Sequence, residues 1–113
     1  MPRAVILGIA GPSLAAEEAA LFRAQRPAGA ILFARNVVDP AQLAALTADL
    51  RAVLGAEAPI LVDQEGGRVA RLKPPSWPAF PPAASFEGGP AAAVAENATS
   101  IAAVCAAVGL DVV

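Results

Sequence analysis

The chain has 113 residues, 57% of them hydrophobic, with eight basic and ten acidic side chains and a formal charge of -2. This is the composition of a globular chain at the usual size of one small domain, not of a disordered tail. Neither end carries a basic cluster or an aromatic ladder to follow a phosphate backbone, so nucleic acid is not an expected partner.

The first apolar run, Val5 to Ile9, closes on "GPS" and predicts a strand followed by a turn. Ser13 is placed to cap a helix in which Leu14, Leu21 and Phe22 share a face, with Glu17 and Glu18 near its positive end. Pro27 stops that helix. "GAILF" at 29–33 predicts a second buried strand, followed by "ARN". Asp39, Pro40 and Gln42 make a helix start, with a side-chain cap, proline at the first helical position and an amide three residues after the cap. Leu43, Leu46, Leu50 and Val53 then recur at three- and four-residue steps, which gives one apolar face, and Gly55 ends the helix. "PILVD" at 59–63 is the third strand. "PPSWPAFPP" at 74–82 is a rigid loop that fits neither a helix nor a central strand. From about Pro90 to Val108 the alanine-rich run is again helical, Gly109 stops it, and "LDVV" opens a fourth strand.

Strands alternating with helices define an α/β fold with a parallel sheet, and the nearly continuous apolar strands predict a sheet covered on both faces. A Rossmann fold requires G-x-G-x-x-G after the first strand, whereas "GIAGPS" lacks that spacing and puts proline where the phosphate-binding helix would begin. In a (β/α)8 barrel the active face is built at the C-terminal ends of the strands, and Asp63 stands at such an end. A barrel needs eight strands and about 200 residues or more. The 113 residues are therefore expected to be one incomplete barrel domain, with about three βα units and the start of a fourth strand. Alone they are expected to be marginally stable or prone to aggregate, since open strand edges invite pairing with other chains.

Cys105 is the only cysteine and sits within "SIAAVCAAVGL", so no internal disulfide or cysteine metal cluster can form, and a packed core thiol is expected. Histidine is absent from the chain, which excludes Ser-His, Cys-His and His-metal sites within these residues. No metal and no other cofactor is expected. The runs "AVILGIA" and "IAAVCAAVGL" fall short of the roughly 18 apolar residues that a membrane helix requires, so no membrane association is expected. Arg3, the run Ala4 to Ala10 and "SLA" loosely imitate a signal peptide, yet one charge and a minimal apolar run favour a cytoplasmic protein.

The densest chemistry lies in "ILVDQEGGRVARL", residues 60–72. If the strand persisted, Asp63 and Glu65 would share a face at about 6.5 Å, near the separation glycosidases use for two carboxyl groups. Gly66 and Gly67 must end the strand, however, and Arg68 and Arg71 are placed to neutralise both acids in an ion-pair network. Arg35 and Asn36, at the end of the second strand, lie on the same side and read as loop-stabilising residues. Trp77, the sole tryptophan, reads as covering apolar surface.

The combination of "PAGAILFARNVVDPAQLAALTADLR", "ILVDQEGGRVARL" and "WPAFPPA" resembles the N-terminal part of glycoside hydrolase family 3, most closely its bacterial β-N-acetylhexosaminidase (NagZ type) branch. The likeness runs from about Gly8 to the last residue, and "GLDVV" looks like the strand that in this family leads into an asparagine- or proline-containing loop. The resemblance implies a (β/α)8-type barrel without metal. It also implies retaining hydrolysis of a terminal β-linked N-acetylglucosamine through a covalent intermediate, with a GlcNAc-containing muropeptide of cytoplasmic peptidoglycan recycling as the usual substrate.

The family's nucleophile is an aspartate in a later loop, and in this branch the acid/base is a histidine paired with an aspartate. Neither loop is present here, so no residue of this chain is assigned a catalytic role. The motif's substrate contacts fall on Asp63 and Arg71. Glu65 and Arg68, with Gly66 and Gly67, are expected behind them, holding the loop and orienting Arg71. A β-glucosidase or β-xylosidase of the same family, or a non-catalytic sugar-binding or assembly module, is the alternative.

Overall fold

The computed structural model describes all of residues 1–113. Strand β1 (Arg3–Leu7) is followed by α1 (Ala16–Gln25), β2 (Pro27–Leu32), a 3-10 turn (Ala34–Asn36), α2 (Pro40–Leu54), β3 (Ile60–Val62), a second 3-10 turn (Ala83–Phe86) and α3 (Ala91–Ala106). The strands lie in the order β1-β2-β3 and all pairs are parallel, with Ala30, Ile31 and Leu32 opposite Ile60, Leu61 and Val62. Residues 111–113 begin a fourth parallel strand. Leu61 bridges Val112, the Val62 amide donates to the Val112 carbonyl at 3.0 Å, and the Asp111 amide donates to the Ile60 carbonyl at 2.9 Å. This is the expected α/β wedge. The sheet does not close, and the radius of gyration of 15.2 Å exceeds the approximately 13 Å of a compact domain of this length.

Helix α2 forms as its local signals dictate. Asp39 caps it by accepting from the Gln42 amide at 2.8 Å, with Pro40 as its first residue, and Gly55 follows its end. Leu43, Leu46 and Leu50 are buried against β2 and β3, where Ala30, Leu32, Ile60 and Val62 are buried in turn. Each such leucine contributes about 1.5–3 kcal/mol by leaving water. Ile101, Cys105, Val108 and Leu110 extend the same core, and Trp77 joins it from the proline-rich loop. Cys105 is a packed thiol, its pKa raised by burial.

Several local expectations are corrected. Strand β1 begins two residues earlier than the apolar run suggests, and most of it is exposed, so the sheet is covered on both faces only in its middle strands. Ser13 does not cap α1. Its N-cap is Ala15, and the Glu18 carboxylate reaches back to accept from the amides of Ala15 and Ala10 at 3.0 and 2.8 Å. Leu21 is 49% exposed, because it lies one position, about 100° of helix turn, before the buried Phe22; the inward residues of α1 are Ala19 and Phe22. Gln42 reaches the Val38 amide rather than that of the N-cap residue. Helix α3 ends at Ala106, two residues before Val108.

An ion pair stands at the end of the sheet where β2 and β3 begin. Arg51, in the last turn of α2, donates to the carbonyls of Ala56, Ala58 and Gly109 and to the Asp111 carboxylate at 2.7 Å, a position that also suits a cation at a helix C-terminus. The same Asp111 oxygen accepts from the Ile60 amide at 2.9 Å. Burial pushes the Asp111 pKa up, but the Ile60 amide and the Arg51 guanidinium outweigh it and hold the carboxyl below its usual value.

A carboxylate whose pKa is lowered on folding adds stability above its unfolded pKa of about 3.9, and that stability is lost as pH falls through the folded value. Asp111→Asn is therefore expected to lower stability in urea at pH 7. The side chain is 41% exposed, so solvent screening limits the effect to about 1 kcal/mol. The gap between variant and parent should close below about pH 4. A gap that stayed constant down to pH 2 would show that the ionised form contributes nothing.

Candidate functional site

Strand β3 ends at Val62, so residues 63–72 form a loop beyond the C-terminal end of the sheet. Its turn is held by backbone bonds: the amides of Glu65 and Gly66 donate to the Val69 carbonyl at 2.8 and 3.0 Å, and the Gly67 amide donates to the Phe80 carbonyl at 2.8 Å. Gly66 and Gly67 both have positive φ, 98° and 58°, and both lie against the proline-rich loop. A β-carbon on Gly66 would run into the Pro81 carbonyl oxygen, and one on Gly67 would come within 2.7 Å of the Pro82 ring. The two glycines therefore seat residues 63–72 against residues 80–82.

This loop brings Asp63 and Arg71 together. An Arg71 guanidinium nitrogen, Nη2, lies 3.3 Å from Asp63 Oδ2, and the Arg71 and Asp63 side chains are 26% and 45% exposed respectively. A charge-assisted bond is normally about 2.7–2.9 Å, and an arginine–carboxylate pair is often bidentate. This one is long and single. The second carboxylate oxygen of Asp63 and the remaining outer N–H groups of Arg71 thus have no side-chain partner within the protein. A carboxylate that accepts hydroxyls beside a guanidinium that donates from a rigid fork can grip a neutral polyol ring.

Glu65 and Arg68 are not part of this pairing. Both are exposed and neither side chain makes a hydrogen bond or ion pair, so they do not orient Arg71 in this structure. The two-carboxylate geometry also fails, because the strand ends before Asp63. Glu65 instead borders an apolar depression of about 310 Å³ shared with Ala83, Phe86 and, from α3, Val94, Ala98 and Ile101.

Gln64 holds the loop instead. It is 1% exposed, its Oε1 accepts from the amides of Arg71 and Leu72 at 2.8 and 3.0 Å, and its Nε2 donates to the Leu72 carbonyl at 2.9 Å. Sequence reasoning passed over it because an amide between two acids looks like a surface residue. The available signal was its place: along an extended backbone, residues on either side of an outward Asp63 point inward.

The neighbouring loop, after β1, is secured by the "ARN" turn. Asn36 is fully buried and donates to the carbonyls of Ile9 and Gly11 at 3.2 and 2.7 Å while accepting from the Phe33 amide at 2.8 Å. Arg35 donates to the Ile9 carbonyl and stacks 4.7 Å above the Phe33 ring. Gln42 adds bonds to the carbonyls of Pro12 and Asn36. Arg35 and Asn36 therefore stabilise the loop, as expected. No group of three or more histidine, cysteine, aspartate or glutamate side chains is placed to hold a metal ion, and no helix is long and apolar enough to cross a membrane.

The parallel α/β wedge resembles glycoside hydrolases in sequence and in shape. The glycoside hydrolase family 3 β-N-acetylglucosaminidase of Paenibacillus sp. strain FPU-7 superposes with a TM-score of 0.85 at 30% identity, over 94% of this chain and 21% of that one. The chain thus resembles the N-terminal part of glycoside hydrolase family 3. Within it, the similarity is to NagZ and the bacterial β-hexosaminidases. NagZ of Neisseria gonorrhoeae, solved in complex with N-trifluoroacetyl-D-glucosamine, superposes with a TM-score of 0.84 at 31% identity over 97% of this chain and 35% of that one. The β-hexosaminidase of Photobacterium profundum is 43% identical over 83 residues, 74% of this chain and 25% of that protein. The chain thus spans about a quarter of the length of that relative. No family model matches it.

Proposed function

We propose that residues 1–113 form part of a single barrel domain in a retaining β-N-acetylhexosaminidase that removes a terminal β-linked N-acetylglucosamine. Asp63 and Arg71 form one wall of the sugar subsite. The observation that carries this reading is the loose, solvent-facing Asp63–Arg71 pair beyond β3, on a fold shared with NagZ. Asp63 accepts from ring hydroxyls and Arg71 donates to ring oxygens. Each charge-assisted bond contributes about 1.5–3 kcal/mol, enough to fix a neutral ring while other groups break the glycosidic bond. No residue of this chain is assigned as nucleophile or acid/base.

A GlcNAc-containing muropeptide as substrate, a role in peptidoglycan recycling and a cytoplasmic site of action form the finer part of the proposal. They are supported by the resemblance of "DQEGGRVAR" to the bacterial branch. The test is hydrolysis by the enzyme that carries this segment, measured on aryl β-N-acetylglucosaminide, β-glucoside and β-xyloside. Preference for the N-acetylglucosaminide is expected; preference for either of the others would keep the family and overturn the sugar. The isolated 113 residues are expected to turn over none of the three, and turnover abolished by Asp63→Ala would overturn the assignment of Asp63 to binding alone.

A further inference from the structure

We propose that Gln64 is the positioning residue that sets Arg71 against Asp63, an inference that rests on the sugar-binding reading of that pair. The Arg71 side chain does little to place itself. It makes one 3.3 Å contact with Asp63, and its Nε is buried without any acceptor. Its placement comes from its backbone, and Gln64 holds that backbone. One buried amide accepts from the N–H groups of Arg71 and Leu72 and donates to the Leu72 carbonyl, much as a neighbouring strand would.

Leu72, 1% exposed, is anchored in the core while Arg71, its neighbour, points to the site, so the Gln64 clamp fixes the point at which the chain divides between core and ligand. Few side chains can do this. Glutamate offers the acceptor without the donor, methionine offers neither, and asparagine is one methylene shorter. Because residues 63 and 64 are adjacent, the carboxylate and the clamp also move together. The Asp63–Arg71 separation is thereby set at the end of β3 and not by the flexible Arg71 side chain alone.

The test is a double-mutant cycle in the enzyme that carries this segment, read as kcat and KM on an aryl β-N-acetylglucosaminide. Gln64→Met is expected to lower kcat/KM at least tenfold, chiefly through KM. In an Arg71→Ala background it is expected to cost less than twofold, because the group it positions is gone. Equal losses in both backgrounds would mark Gln64 as a general stabiliser and overturn the proposal, as would an unchanged kcat/KM in the single variant. If Gln64→Met does not fold, Gln64→Asn, whose amide is one methylene too short to keep the clamp, is measured in the same two backgrounds against the same criteria.

The wild-type arm separates this inference from the functional one. Absence of wild-type hydrolysis on every aryl β-glycoside would overturn the proposed activity. The cycle is then read from N-acetylglucosamine affinity by titration, where equal losses in the two backgrounds, or no binding by the parent, would overturn the Gln64 role.

Discussion

Asp63→Ala, made in the enzyme that carries this segment, is expected to lower kcat/KM on a β-N-acetylglucosaminide by roughly two to three orders of magnitude. On the proposed sugar-binding reading, the carboxylate accepts from two hydroxyls. Two charge-assisted bonds at about 1.5–2 kcal/mol each amount to 3–4 kcal/mol, and each 1.36 kcal/mol is a tenfold change. Arg71 would lose its only side-chain partner as well. If these bonds hold the sugar equally in the ground and transition states, the loss falls mainly on KM. Asp63→Asn, which keeps the shape but not the charge, should retain an intermediate activity. The fold should be little affected, because Asp63 is at the surface and its ion pair is long. An Asp63→Ala enzyme with unchanged kcat/KM would show that this carboxylate does not touch the substrate.

Gly66→Ala is expected to damage the loop itself. Its φ of 98° disfavours any side chain, and the new methyl group would overlap the Pro81 carbonyl oxygen, which is part of a rigid, proline-rich segment. Backbone strain of about 1–2 kcal/mol adds to the cost of moving two packed loops apart, for a total of roughly 2–4 kcal/mol. Urea unfolding measures this directly, and limited proteolysis within 74–82 should accelerate as the seat opens. Gly88→Ala is the control. Gly88 also has positive φ, at 73°, but a methyl group there would meet nothing within 4 Å, so only the backbone strain applies. Equal destabilisation by the two substitutions would show that close approach to Pro81 is not what demands glycine at 66.

The two predictions divide the charged stretch into parts with different origins. Asp63 could be located from the sequence because an apolar run of strand type leads directly into it, and because the motif around it resembles a known family. The same motif names Arg71, eight residues on, as a second contact, and the structure pairs the two. The roles of Glu65 and Arg68 did not follow from it, since the charges of an acid and an arginine say nothing about which way a loop turns them. The structure leaves both in solvent, where ion pairs would contribute little in any case. Gln64, a buried amide, carries the loop-holding role assigned to those charges.

What followed from the amino-acid sequence alone was the order of the elements, the start and inward face of α2, the buried Cys105 and the position of Asp63 at a strand end. These depend on neighbours within about one helix turn or two strand residues, so short-range periodicity and capping chemistry suffice. Only the tertiary structure decided the exposure of β1, the outward turn of Leu21, the Arg51–Asp111 lock and the Gln64 clamp. Each of these depends on which distant backbone groups need a partner once the chain is packed. A carbonyl such as that of Gly109, 58 residues from Arg51, becomes a partner only when the sheet has brought it there.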